Sequence, residues 1–385
     1  MEVILELFSG IMQMDLGKIL MYVIGLVLIY LAIKKDYEPM LLLPIGFGAI
    51  LVNLPFSTVW EHDGAKGFLQ IFYDVGIITE LFPILIFIAV GAMIDFTPLL
   101  KTPKMLLFGA AAQFGIFFTI IAALFLGDML PFIDGIGLKE AATIGIIGAA
   151  DGPTSIFVAG KFAPQLMGPI TVAAYSYMAL VPIIQPPIIK LLTTREERLI
   201  RMEFKDIKVP NKALVIFPIA VTMIAGILSP ISAPLIGALM FGNLIRVCGV
   251  LNKLSEAAQN ELANLVTLLL GITIGATMKA EEFLQVNTIF IMCLGLVAFI
   301  FDTAGGVLFA KLLNMFSSQK VNPMIGAAGI SAFPMSSRIV QKMAKEEDPT
   351  NFILMQAVSA NVSGQLGSVI AGGIILSIVP ILLGS

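Results

Sequence analysis

The chain has 385 residues, of which 58% are hydrophobic and 13% charged, with a formal net charge of −3. Mean hydropathy is +0.98, which excludes a soluble domain and implies an integral membrane protein with several spans. One histidine, His62, and two cysteines in apolar surroundings, Cys248 and Cys293, argue against a zinc or haem centre and against a disulfide framework. There is no GxxxxGK loop and no GxGxxG turn, so the chain by itself is neither an ATPase nor a dehydrogenase, and nothing in it suggests a nucleic-acid partner.

In chain order, residues 1–17 carry Glu2, Glu6 and Asp15 without a basic start, and are expected to form an interfacial helix rather than a signal peptide. Five apolar segments follow, at about 18–33, 40–55, 78–95, 104–127 and 168–192. A second set runs at about 212–229, 233–249, 259–278, 285–310 and 350–382. Two further apolar stretches, 139–163 and 322–345, are interrupted in the middle. The expected fold is all-α, with about ten transmembrane helices and two broken-helix re-entrant hairpins. The chain divides into a first membrane unit, 18–192, a basic linker, 193–211, and a second unit, 212–385.

Basic loops set the orientation. Lys34 and Lys35 place the first loop in the cytoplasm, and Lys101 and Lys104 the third. Glu61, Asp74, Asp128 and Asp134 then lie outside. The linker carries Arg195, Arg198, Arg201, Lys205 and Lys208 and belongs in the cytoplasm. That holds only if 139–163 enters and returns on one side, as a hairpin with Asp151 at its tip. Continuing the count makes 322–345 a hairpin that enters from the cytoplasm, and leaves both chain ends outside.

The first broken stretch contains GIIGAADGPTS, Gly145 to Ser155. Gly152 suits a helix end because glycine takes positive φ without penalty, and Pro153 suits the start of the next helix. Such a break frees carbonyls on one side and N–H groups on the other. Irregular backbone at that depth must line a cavity or be buried in protein. With the Asp151 carboxylate and the hydroxyls of Thr154 and Ser155, it makes a small hard-cation site. An offset of 181 residues pairs Gly145 with Gly326, Gly148 with Gly329, Pro153 with Pro334, Ser155 with Ser336 and Lys161 with Lys342. Each unit has an odd number of crossings, so the two are expected to be inverted repeats, an arrangement found in transporters.

Four stretches carry a family resemblance: GAADGPTSIFVAGKFAP, AAYSYMALVPIIQPPIIKLLTT, NPMIGAAGISAFPMSSR and SANVSGQLGSVIAGG. Together they resemble the β subunit of the biotin-dependent, sodium-pumping decarboxylases, and the likeness covers nearly the whole chain. The resemblance implies a bacterial plasma-membrane subunit that decarboxylates carboxybiotin, exports sodium and takes up a proton. It implies that Asp151 is the carboxylate linked to sodium and the proton, and that Tyr177 couples proton delivery to decarboxylation. Thr154, Gly326, Ser331 and Asn361 would complete the sodium site, while Arg338 and Asn322 would hold carboxybiotin. Biotin would come on a separate carrier, beside a carboxyltransferase α subunit and a small γ/δ membrane subunit; a homo-oligomer is compatible with all of this.

The residues by themselves leave alternatives. Arg338 needs an anion if it lies in the membrane, but serves equally as an interfacial anchor. Tyr177 fits an aromatic belt as well. Asp302, in LVAFIFDTAGG, reads as a further cation ligand or as a structural pair. Lys161 and Lys342 suit the interface. TMKA at Thr277–Ala280 looks like a biotin-acceptor site, but Lys279 ends a span instead of sitting on a soluble hairpin. A sodium/proton antiporter without decarboxylase activity is the competing function, since broken helices and one carboxylate fit it too.

Overall fold

A computed structural model describes residues 10, 13–36, 38–62, 64–130, 136–202 and 208–384. The expected interfacial helix, Asp134 and Lys205 fall wholly or largely outside the described residues. Apart from an antiparallel ribbon, β1 (Glu61–His62) on β2 (Ala65–Lys66), the regular structure described is helical.

The first unit contains α1 (Leu16–Lys35), α2 (Pro39–Val52), α3 (Leu81–Met93) and α4 (Pro103–Met129). It continues with α5 (Leu138–Gly145), α6 (Gly152–Phe162) and α7 (Met167–Leu192). The second unit follows. It has α8 (Asn211–Leu228), α9 (Ala233–Val247), α10 (Asn252–Ala276) and α11 (Val286–Phe316), then α12 (Met324–Ala327), α13 (Met335–Glu347) and α14 (Leu354–Leu382). The pairs α5–α6 and α12–α13 are the expected broken helices.

Against the expected ten spans, the described residues give full-length spans and two shorter apolar helices, Pro39–Val52 and Asn211–Ile227. Among the described residues six helices are long and apolar enough to cross, or eight if each of two bent pairs is one span. Phe68–Ile78 meets α3 at 62°, and α7 bends by 65° between Met178 and Leu180. Pro182 lacks the N–H that would bond the Met178 carbonyl one turn back, so the α7 bend has a local cause. At 14 residues α2 rises only about 21 Å, short of a ~30 Å hydrocarbon core.

The helices form two groups. In one, α2 packs on α1 and α10, and α9 packs on α8 and α3. Its two seams are glycine on backbone. A Cβ on Gly48 would strike the Ile272 carbonyl, and one on Gly275 the Ile45 carbonyl. The equivalent seam joins Gly91 to the Leu239 carbonyl and Gly242 to the Ile88 carbonyl. Lipid tails give no hydrophobic drive between helices, so close backbone approach supplies the dispersion contact. In the other group α4, α7, α11 and α14 surround the two hairpins. The break in α4 falls at Gln113, and Asp302 on α11 closes it: its Oδ1 accepts the Ile116 N–H at 3.1 Å.

The linker is tied to the second hairpin. Arg198 pairs with Glu347 at 2.7 Å and Arg201 with Asp348 at 2.6 Å, just past α13. Asn322 holds the same segment from below, its amide donating to the Arg198 and Ile200 carbonyls at 2.8 and 2.9 Å.

Two tests follow from this packing. Gly91→Ala should destabilise the protein by about 1–3 kcal/mol, because its Cβ lands on backbone that cannot move aside. Gly237→Ala, whose Cβ would sit 3.8 Å from Thr222, should be neutral or gain up to about 1 kcal/mol; thermal melts in detergent compare the two. The Asp348 carboxyl is held down at about 2 by the Thr350 hydroxyl and amide and by Arg201. Its contribution is therefore fully present above the unfolded value of about 3.9 and disappears as pH falls through about 2. Trypsin at neutral pH should cut at Arg198 and Arg201 several-fold faster in Asp348→Asn than in the parent.

Candidate functional site

The first break forms through an unexpected residue. Ala150 takes the left-handed conformation, φ 53°, and Gly152 does not; Gly152 opens α6. Glycine is required at 152 for space, since a Cβ there would enter the Tyr175 ring. Asp151 is the N-cap of α6, with its negative charge at the positive end of the helix. Its Oδ2 accepts from the Thr154 hydroxyl at 2.8 Å and the Ser368 hydroxyl at 2.7 Å. Its Oδ1 carries only a long bond from the Thr154 amide, 3.4 Å. Asp151 is buried, so this partly used carboxylate oxygen is poised for another positive partner. Ser155 turns away and donates to the Asp151 carbonyl at 3.0 Å.

The second break meets the first. The Ser331 amide donates to the Ala149 carbonyl at 3.1 Å. The Ser331 hydroxyl donates to the Gly364 carbonyl at 2.9 Å, and the Gln365 amide donates to the Ser331 carbonyl. Asn361 donates to the Ile330 carbonyl at 2.7 Å, leaving its Oδ1 buried with no hydrogen-bond partner. The polar strip along α14 thus fastens both hairpins: Ser368 holds the first, Asn361 and Gln365 the second.

A cavity of about 510 Å³ opens beside this junction. Asp151, Tyr175, Ser331, Arg338 and Gln365 line one wall. Glu38, Phe87 and Gln259, from the glycine-seamed group, line the other. Asp151, Ser331 and Arg338 were expected at the site, and the fold brings all three to one space. The Arg338 guanidinium is exposed and has no hydrogen-bond or ion-pair partner among the described residues.

Other expected residues lie elsewhere. The Tyr177 hydroxyl donates to the Met292 carbonyl and holds α7 on α11, away from the cavity. Tyr175 is the tyrosine at the cavity, with its hydroxyl buried and unpartnered. Two residues apart on a helix is a rotation of about 200°, so AAYSYM puts its tyrosines on opposite faces. Asn322 is occupied by the linker, and Gly326 packs on the Gly306 backbone. Thr154 and Asn361 are next to the cavity-lining residues rather than among them. Asp302 is a structural partner through Oδ1, while its Oδ2 is buried without a partner. Lys161 pairs with Glu80 at 2.7 Å, and Lys279 lies 4.7 Å over the Trp60 ring. Sequence reasoning missed Glu38, Tyr175 and Gln259; only the helical phase of α7 would have separated Tyr175 from Tyr177.

The sequence was compared with known proteins. The model of the Na+-transporting oxaloacetate decarboxylase beta subunit family matches residues 17–379. The beta subunit of glutaconyl-CoA decarboxylase from Acidaminococcus fermentans is 50% identical over 96% of each chain. The beta subunit of methylmalonyl-CoA decarboxylase from Propionigenium modestum is 46% identical over 98% of this chain and 99% of its own. The oxaloacetate decarboxylase beta chain of Haemophilus ducreyi is 45% identical over 98% of each. With its interrupted helices, its apolar spans and a match over nearly its full length, this multi-pass membrane chain belongs to the family of Na+-transporting oxaloacetate decarboxylase beta subunits.

Proposed function

We propose that this chain decarboxylates carboxybiotin and couples the release of CO₂ to outward sodium movement with uptake of a proton. One observation carries the reading: a buried carboxylate, Asp151, and an unpartnered guanidinium, Arg338, line one cavity. The first suits a cation and the second a carboxylate. A sodium/proton antiporter needs the Asp but has no use for an unpaired arginine at the same cavity.

Sodium is the transported substrate. Asp151 Oδ1 supplies the charge, and the Ser331 hydroxyl and the unsatisfied Asn361 Oδ1 supply neutral hard oxygens. Thr154 and Ser368 fix the carboxylate from behind. Gly326 serves this site through packing, by letting the second hairpin approach α11.

Carboxybiotin arrives on a carrier domain. Arg338 would take its carboxylate with two parallel N–H···O bonds. On decarboxylation the C–N bond breaks, its electron pair stays on the ureido nitrogen, and CO₂ leaves. The nitrogen then takes a proton. An arginine on the reactant carboxylate holds and orients it, so the rate gain must come from proton delivery. Proton release from Asp151 as sodium binds would link the two events. Tyr177 would act at a distance, by setting α7 against α11. Moving one charge against 100 mV costs about 2.3 kcal/mol, within reach of an exergonic decarboxylation.

Three relatives named for different substrates are 45–50% identical to this chain, so substrate choice is assigned to another component. The partners proposed are a biotin carrier, a carboxyltransferase α subunit and a small γ/δ membrane subunit. The two units are proposed to be inverted repeats with the linker in the cytoplasm.

Asp151→Asn keeps shape and loses charge. It should abolish sodium-dependent decarboxylation while leaving the melting temperature within a few degrees; wild-type sodium dependence would remove Asp151 from the site. Arg338→Lys keeps charge and loses the fork. Its turnover of free carboxybiotin should fall roughly 10- to 100-fold, on a scale of about 1.5–3 kcal/mol per charged hydrogen bond. Sodium-dependent thermal protection should survive in that variant, and its loss would make Arg338 structural.

A further inference from the structure

Outside the cavity, α13 presents a second concave surface of about 430 Å³, lined by Arg338, Gln341, Lys342, Lys345 and Glu346. Arg338 is common to this surface and to the inner cavity. Arg338, Lys342 and Lys345 recur at i, i+4 and i+7, so they stand in one row along about 10 Å of helix. All three are exposed. Lys342 forms no hydrogen bond or ion pair among the described residues, and Lys345 touches only the Phe352 ring, at 5.8 Å. Gln341 is spent on structure, donating to the Asn351 carbonyl at 3.0 Å and accepting from the Ile353 amide at 2.8 Å. Glu346 is the single negative group on this surface, at the end farthest from Arg338.

The internal repeat supplies a comparison. Lys161 occupies the position on α6 that Lys342 occupies on α13, at the same offset that pairs Pro153 with Pro334. Lys161 is neutralised by Glu80 at 2.7 Å. Lys342 has no such ion pair among the described residues, and Glu346, one turn on, makes no bond to it. Acids do surround the end of α13, but Glu347 and Asp348 are taken by Arg198 and Arg201. The row keeps its positive charge: of the acids nearby Glu347 and Asp348 are cancelled, and Glu346 alone faces three cations.

We propose that Lys342 and Lys345 form an electrostatic entry track that draws the carboxylate end of carboxybiotin along α13 and passes it to Arg338 at the mouth of the Asp151 cavity. This rests on the carboxybiotin reading above. A row of unpaired cations leading to a narrow opening raises the local concentration of an anion and speeds its encounter, in a way that salt screens. The lysines touch no reacting atom; they position the substrate, so they act on capture and not on the chemical step.

The test uses the purified complex in non-ionic detergent, with free carboxybiotin as substrate at constant sodium and increasing potassium chloride. The wild-type KM should rise with salt. Lys342→Gln and Lys345→Gln should each raise KM roughly two- to five-fold at low salt, flatten its salt dependence and leave kcat unchanged. Lys342→Arg should restore the wild-type values, and Lys161→Gln, on the equivalent position of the first hairpin, should leave them unaltered. Variants with wild-type KM and salt dependence overturn the track, as does a loss confined to kcat. The same assay in phosphatidylcholine vesicles with and without phosphatidylglycerol separates an anionic lipid: an effect seen only with phosphatidylglycerol assigns the lysines to headgroups and overturns the proposal. A wild-type complex inert toward carboxybiotin overturns the functional reading itself, and the track with it, which is a different outcome from active enzyme with indifferent variants.

Discussion

Within a bilayer an interrupted helix leaves backbone groups that no water can satisfy, and each one costs several kcal/mol. This chain interrupts two helices and sets the breaks against each other. The bond from the Ser331 amide to the Ala149 carbonyl is their direct contact. Around it, α14 donates side-chain amides to the Ile330 and Ser331 carbonyls, and the Gly364 carbonyl takes the Ser331 hydroxyl. The polar groups that make a cation site attractive are thus the same ones that keep the irregular backbone at this depth. Removing a member of the set removes a ligand and an anchor together.

The two helix groups are held by different means. Around α2, α3, α9 and α10 the seams are glycine against carbonyl, and on α9 Asn243 and Arg246 add side-chain bonds to the carbonyls at the end of α3. Around the hairpins the contacts are hydrogen bonds from buried serine, threonine, asparagine and glutamine. The cavity lies between the groups, so one wall is largely apolar with Glu38 and Gln259 set in it, and the other carries the Asp151 carboxylate and Arg338. Asp302 shows how a second buried carboxylate can serve structure: it takes the Ile116 amide where α4 breaks at Gln113.

Much of this was legible in the sequence. Asp-Gly-Pro-Thr marks a helix restart whatever surrounds it, and the second break follows from its alignment with the first. Asp151 and Arg338 could be picked out because charges are conspicuous in apolar sequence, whereas Ser331 was singled out by the family resemblance alone. The rest depends on tertiary placement. The glycine at 152 answers to a ring from α7, twenty-three residues on, and no local pattern contains that information. Tyr175 and Tyr177 differ only in the phase of a helix whose orientation is set by packing. Asn322 has the composition of a ligand and is used as a strap, because its amide meets two linker carbonyls. The expected count of about ten is reached when α2 and α8, apolar but shorter than a full crossing, are added to the eight, because hydropathy registers apolar residues and not helix length.

The linker's attachments have a mechanical meaning. Thr193, Arg198, Ile200, Arg201 and Met202 engage Asn322, Glu347, Asp348, Thr350 or Gln356, or one another, and those partners all belong to the second unit. Among the described residues the first hairpin has no bond to this segment. The connector therefore rides with one hairpin as a splint, and a spectroscopic label on exposed Glu196 would report the attitude of that half of the cavity alone.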